Sequence, residues 1–133
     1  MLFELTLLPE QNNLDYFLRE FKNANIEKLD YIFAECSSLT SIDISNLNTS
    51  NVTSFKYMFH SCFALTSINL TNFETINAEN MEGMFYHCSK LVFINLGSFP
   101  FISIIKLVKL YPLPNPNTKY PLLNSVKQTN SPQ

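Results

Sequence analysis

Tryptophan is absent, and glycine occurs only at positions 83 and 97. Without a glycine-rich loop the chain cannot wrap backbone amides around a phosphate, which excludes the nucleotide-binding folds that depend on one. Charge is scarce as well: 15% of the 133 residues are charged and the net is −2. No basic stripe is present to neutralise a phosphate backbone, so nucleic acid is not an expected partner. Long hydrophobic runs are missing. The most apolar stretch, Phe99 to Leu110, is broken by Ser103, Lys106 and Lys109, and falls short of the about 20 apolar residues of a membrane-spanning helix. Glu4 stands where a secretory signal carries positive charge, and Pro9 and Glu10 interrupt its apolar stretch, so no signal peptide is expected. What the chain does have is apolar bulk, 46% of its residues, enough for the core of one domain and too much for a disordered chain.

That bulk is periodic. Cys36, Cys62 and Cys88 are spaced by 26 residues, and the same offset carries Phe33 onto Phe59 and Phe85, Leu39 onto Leu65 and Leu91, and Ile42 onto Ile68 and Ile94. Ile44 maps to Leu70 and Leu96, Leu47 to Phe73 and Phe99, and Asn51 to Asn77. A fixed period in this range is the mark of stacked repeat architectures.

Two local patterns alternate inside each unit. The segments Leu39 to Ser45, Leu65 to Thr71 and Leu91 to Gly97 end in strict alternation, apolar at Ile42 and Ile44, Ile68 and Leu70, and Ile94 and Leu96, which predicts a short strand with one buried face. Ile26, Leu29, Ile32 and Phe33, with their copies Val52, Phe55, Met58 and Phe59, follow an i, i+3, i+6, i+7 spacing that predicts a turn or two of α- or 3₁₀-helix. One such unit cannot bury its apolar residues on itself, whereas stacked copies set each column against its own image. The expected fold is therefore α/β, a leucine-rich-repeat-like solenoid with a short parallel β-sheet and short helical or 3₁₀ returns. Residues 1–25 read as an N-terminal cap or degenerate repeat, with Leu14, Phe17, Leu18 and Phe21 on one helical face. Residues 26–111 hold three repeats and a degenerate fourth half-repeat, whose helical return spans Ile104 to Tyr111. Residues 112–133, with Pro112, Pro114, Pro116 and Pro121, read as a weakly ordered tail, although Tyr120 and Leu122 sit where a last strand would place apolar residues.

The units resemble the BspA-type leucine-rich repeat family of surface proteins, whose repeats read Met-Phe-x-x-Cys-x-x-Leu before a strand and an Asn-rich corner. Here these are Met58-Phe59-His60-Ser61-Cys62-Phe63-Ala64-Leu65, then Asn72-Phe73-Glu74-Thr75-Ile76-Asn77, and earlier Asn46-Leu47-Asn48-Thr49-Ser50-Asn51-Val52. The resemblance implies a leucine-rich-type solenoid, display at a cell surface or in secreted form, and adhesion or partner binding with no catalytic residue.

Residue chemistry points the same way. His60 and His87, near Cys62 and Cys88, suggest a metal, but the histidines occupy different columns, so their side chains are expected to diverge, and no Cys-x-x-Cys pair exists. No metal and no cofactor are expected. The cysteines read as small buried spacers, and a disulfide between neighbours is disfavoured because in-register side chains sit roughly 4.8 Å apart and bonded Cβ atoms roughly 3.8 Å. Asn46, Asn48, Thr49, Asn51, Asn72, Thr75 and Asn77 read as corner residues that bond to nearby backbone. Asn48-x-Ser50, Asn51-x-Thr53 and Asn69-x-Thr71 match a glycosylation pattern as by-products of those corners. No nucleophile, base and orienting group assemble, so the chain is not expected to be an enzyme.

The candidate binding face is the outward side of the strands: Ser41, Asp43, Ser45, Ser67, Asn69, Thr71, Phe93 and Asn95. Repeat proteins present matched rows there at fixed spacing. The expected function is a non-catalytic binding or adhesion module that takes a protein or glycan surface on this face, without membrane insertion. Alanine at Asp43, Asn69 and Asn95 is expected to abolish binding and leave folding intact. The alternative is a structural fragment of a larger repeat protein that self-associates through its apolar ends.

Overall fold

The computed structural model describes residues 18, 19, 21, 25–97, 99–108 and 117–119. In the second and third units the alternation forms strands β1 (Ser67–Asn69) and β2 (Phe93–Asn95), isoleucine inward and its neighbours outward. They pair in parallel, Ser67 opposite Phe93, Ile68 opposite Ile94 and Asn69 opposite Asn95, at the same 26-residue offset as the cysteines. Lys119 adds a further parallel bridge to Phe93 at that offset. Its N–H donates to the Val92 carbonyl at 2.9 Å, and its carbonyl accepts from Ile94 at 3.1 Å. An ordered bridge therefore lies within the span read as a tail; Tyr120 and Leu122 lie outside the described residues. The first unit differs. Ile42 and Ile44 are buried as the alternation requires, but Ser41 to Ser45 forms no strand; just before it the Thr40 carbonyl accepts from the N–H of Thr66, the residue before β1, at 3.3 Å.

The return segments depart from the helical expectation. Lys28, Ser54 and Asn80 form consecutive parallel bridges, and from there alternate amides point out of the unit. Leu29, Tyr31, Phe33 and Glu35 donate to the carbonyls of Ser54, Lys56, Met58 and His60 at 2.6–3.0 Å, and Phe55, Tyr57, Phe59 and Ser61 donate to Asn80, Glu82, Met84 and Tyr86 at 2.7–2.8 Å. The amides between them close i→i+3 turns, as Ile32 does to Leu29 and Met58 to Phe55. A helix would consume every donor internally and leave none for the neighbouring unit. The turns are made possible by left-handed residues at Tyr31, Glu35, Tyr57, Ser61, Gly83 and His87, φ 51–64°. The apolar spacing that reads as helix is kept because the side chains still face inward once per turn.

Those side chains form continuous layers. The Phe33 and Phe59 rings stack with centroids 5.3 Å apart, and Phe59 and Phe85 at 5.5 Å. The outer units are as well covered as the middle one: Phe33 is 1%, Phe59 0% and Phe85 2% exposed. At one end the helical residues Leu18 and Phe21 pack on this core; Leu14 and Phe17 lie outside the described residues. At the other end α1 (Phe101–Val108) buries Ile104 and Leu107. It begins three residues before the predicted Ile104, because the Pro100 carbonyl accepts its first bonds, from Ser103 and Ile104; Leu110 and Tyr111 lie outside the described residues.

Pro100 also ends one of the ladders. In the corner column the buried Thr49 hydroxyl accepts from Glu74 N–H at 2.8 Å. The equivalent partner for Thr75 is Pro100, which has no N–H, and the buried Thr75 Oγ1 has no hydrogen-bond partner. Thr49→Val, which strands the Glu74 amide, is expected to destabilise by about 1–3 kcal/mol, whereas Thr75→Val removes an unsatisfied hydroxyl and is expected to be neutral or stabilising. Urea titration of the two variants checks the difference; equal losses would dismiss the Pro100 explanation.

Candidate functional site

On the strand face, Ser41, Asp43, Ser45, Ser67, Asn69 and Phe93 are exposed, and Thr71 and Asn95 half-buried. Strand pairing brings Ser67 beside Phe93 and Asn69 beside Asn95; Ser41, Asp43 and Ser45 lie on the adjoining segment outside the sheet. The acidic and amide side chains of this face have a structural task that their spacing alone did not reveal. Asp43 Oδ1 accepts from the Ser45 amide at 3.0 Å and its hydroxyl at 2.7 Å. Asn69 Oδ1 accepts from Thr71 N–H at 3.1 Å, and Asn95 Oδ1 from Gly97 N–H at 3.2 Å. Each closes the turn that ends its strand segment. The Ser45 hydroxyl, then its amide, hold the Asp43 carboxyl below its ordinary range. Alanine at Asp43, Asn69 and Asn95 removes these turn-closing bonds together with the side chains, so the triple replacement is expected to lower stability as well as binding and does not separate the two. The face remains a surface of small polar groups in fixed positions, with one aromatic ring at Phe93.

None of Cys36, Cys62 and Cys88 forms a disulfide. Each of the two buried ones has a defined acceptor: Cys62 Sγ donates to the Phe33 carbonyl at 3.1 Å and Cys88 Sγ to the Phe59 carbonyl at 3.0 Å. The column thus ties each unit to the previous one. Burial, then the neighbouring Cys62, pushes the Cys36 thiol from 9.0 up to about 11, and hydrogen bonding with Cys88, then burial, pushes Cys62 up further. The protonated thiol is the form the fold holds. The unfolded chain releases its protons first, so this contribution is complete below the ordinary value of 9.0 and is lost as pH rises through the Cys36 value near 11. Iodoacetamide at mildly alkaline pH is expected to leave Cys62 and Cys88 unmodified in the folded protein and to label Cys36 slowly, with all three reacting in denaturant; mass spectrometry reads the result.

The other notable surface lies on the return segments, and the sequence reading did not find it. Tyr31 stacks on Tyr57 at 5.2 Å between centroids. Tyr57 meets His60 edge-on at 5.5 Å, His60 stacks on Tyr86 at 5.5 Å, and His87 lies 4.0 Å from Tyr86. The two histidine rings are 6.0 Å apart, which overturns the expectation that different columns keep them apart. The return path turns the chain left-handed at His87 and so brings its side chain back toward its neighbours. Around the rings, Tyr57 Oη donates to Glu82 at 3.2 Å, and Lys56 Nζ sits 5.6 Å from the Tyr57 ring and 3.7 Å from Glu82. Among the described residues no three His, Cys, Asp or Glu side chains are placed to hold a metal ion. The Ser61 hydroxyl lies 3.5 Å from His60 Nε2, at the outer limit of a hydrogen bond. The signal available in the sequence was the offset itself, since Tyr31 and Tyr57 lie 26 residues apart.

No helix among the described residues is long and apolar enough to cross a membrane. Comparison with curated proteins gives no match, and neither does comparison with solved structures. A family model does match, over residues 6–107, which takes in all three units and most of α1. The chain belongs to the family described as Mycoplasma protein of unknown function, DUF285.

Proposed function

We propose that this chain is a non-catalytic binding or adhesion module, a leucine-rich-repeat-like solenoid of the BspA type that recognises a protein or glycan surface through its strand face. The observation that carries the reading is the exposure of Ser67, Asn69 and Phe93 in a fixed arrangement with the half-buried Asn95. Parallel pairing sets their register, and turn-closing bonds hold the asparagine side chains, so little freedom is lost when a partner docks. Display at a cell surface or in secreted form is part of the proposal and rests on the repeat resemblance. The burial of Phe33 and Phe85 within a single chain weighs against self-association through bare apolar ends, and the protein is expected to run as a monomer at all accessible concentrations in size exclusion with light scattering.

The decisive test leaves the turn-closing residues alone. Ser41→Arg with Ser67→Arg places two bulky charges on the exposed face, and surface plasmon resonance over immobilised collagen and mucin compares this variant with the parent. Binding by the parent that the arginines remove, at unchanged thermal stability, supports the reading. Binding to neither surface, or binding indifferent to the arginines, counts against it.

A further inference from the structure

We infer that the aromatic ridge of the return segments, Tyr31, Tyr57, His60, Tyr86 and His87, is a second binding site, separate from the strand face, and that its ligand is a neutral oligosaccharide. Tyr31, Tyr57 and His87 adopt φ of 60°, 51° and 62°, a region that side chains other than glycine occupy under strain. In the third unit the column of Tyr31 and Tyr57 holds Gly83, at φ 58°. The fold therefore accepts glycine there, and the tyrosines are carried against the backbone preference. Tyr31 is moreover 47% exposed, so burial does not account for its ring.

What the ridge offers decides the ligand. The rings form one connected series across three units, spanning two ladder spacings, or about 10 Å, which suits an oligomer better than a single sugar. Tyr31 has one face on Tyr57, and nearly half of the residue lies open, a rigid platform that loses little entropy on contact. Beside it stand groups that give and accept hydrogen bonds: the Tyr57 hydroxyl with Glu82, and the imidazoles of His60 and His87. A sugar ring presents C–H faces to an aromatic surface and hydroxyls to such a rim. The Lys56 charge is paired with Glu82 at 3.7 Å beside the Tyr57 ring, so the ridge offers no cationic excess for a sulfated or phosphorylated polymer.

The test uses the full chain, isotope-labelled, titrated in turn with maltohexaose, cellohexaose and chitohexaose to about 10 mM, a range that captures weak millimolar binding. At least one is expected to shift the resonances of Tyr31, Tyr57, His60, Tyr86 and His87. Tyr31→Gly separates binding from structure: glycine relieves the left-handed strain, so thermal stability is expected to hold or rise while affinity falls at least about tenfold. Silence with all three sugars, shifts confined to Ser67, Asn69 and Phe93, or undiminished affinity in Tyr31→Gly would each overturn the assignment. Ser41→Arg with Ser67→Arg is expected to leave this binding unchanged, so the two surfaces succeed or fail separately.

Discussion

Phe59→Ala is expected to destabilise the protein by about 3–5 kcal/mol, a large part of the stability of a domain this size. Phe59 is fully buried and stacked on both sides, against Phe33 with planes 16° apart and against Phe85 with planes 4° apart. Removing the ring takes away its transfer energy and leaves a void between two flat neighbours. Those neighbours cannot collapse into it easily, because their backbones are fixed by the ladder: Phe33 N–H donates to Met58 and Phe59 N–H to Met84, at 2.9 and 2.8 Å. Phe59→Leu refills part of the space and is expected to lose clearly less. Phe85→Ala falls in the same range as Phe59→Ala, since Phe85 is covered almost as completely. Urea unfolding of the three variants checks the order, and a Phe59→Ala loss below about 1 kcal/mol would refute a layered core.

This layering is the part of the molecule most legible in the sequence. Matching apolar residues at one offset constrains which side chains can meet, and Phe33, Phe59 and Phe85 meet as the offset requires. The path of the return segments was less legible for a definite reason. Apolar residues at i, i+3, i+6 and i+7 satisfy a helix and an alternating series of turns equally well, and only the destination of the amides separates them. Those amides reach carbonyls in the neighbouring unit, which spacing within one unit does not register.

The candidate sites show the same division. Asp43, Asn69 and Asn95 were placed correctly on the outer side of their segments, but alternation gives direction and says nothing of a bond to the residue two positions on. Tyr31 and Tyr57, like His60 and Tyr86, lie 26 residues apart, but they fall outside the apolar columns that mark the core, and the offset alone does not show that their rings meet on the surface. They come together through left-handed residues at Tyr31, Tyr57, Ser61 and His87, a conformation to which none of these side chains is an obvious guide. Each such non-glycine residue carries about 1–2 kcal/mol of backbone strain. Ser61→Gly, which changes a small buried side chain at φ 60°, is accordingly expected to stabilise by up to about 1 kcal/mol, read from the midpoint of urea unfolding.

The two glycines allow a sharper test of how the units are held. At Gly83 an added Cβ would meet Tyr57 Cε1 at 2.2 Å; at Gly97 it would meet Thr71 Cα at 2.8 Å. Distance alone ranks Gly83→Ala as the more damaging, and the opposite is expected. The atom in the way at Gly83 is the far end of a side chain, and the same column already accommodates Tyr31 and Tyr57 at positive φ, so a modest tilt of the Tyr57 ring makes room at about 1–2 kcal/mol. At Gly97 the obstruction is backbone of the adjacent unit, just after β1, where Asn69 Oδ1 holds Thr71 N–H at 3.1 Å. Gly97 is itself left-handed, φ 52°, unlike Ser45 and Thr71 in its column, so alanine there meets strain and a backbone that gives way only if the two units part. Gly97→Ala is expected to lose about 2–4 kcal/mol, combining left-handed strain with local disruption of the pairing. It should also weaken any ligand held by Asn69 and Asn95, because the Asn95 turn closes on the Gly97 amide at 3.2 Å. Parallel urea titrations decide the matter: a greater loss for Gly83→Ala than for Gly97→Ala would mean that ring packing on the return segments, rather than backbone approach at the strand ends, sets the spacing of the units.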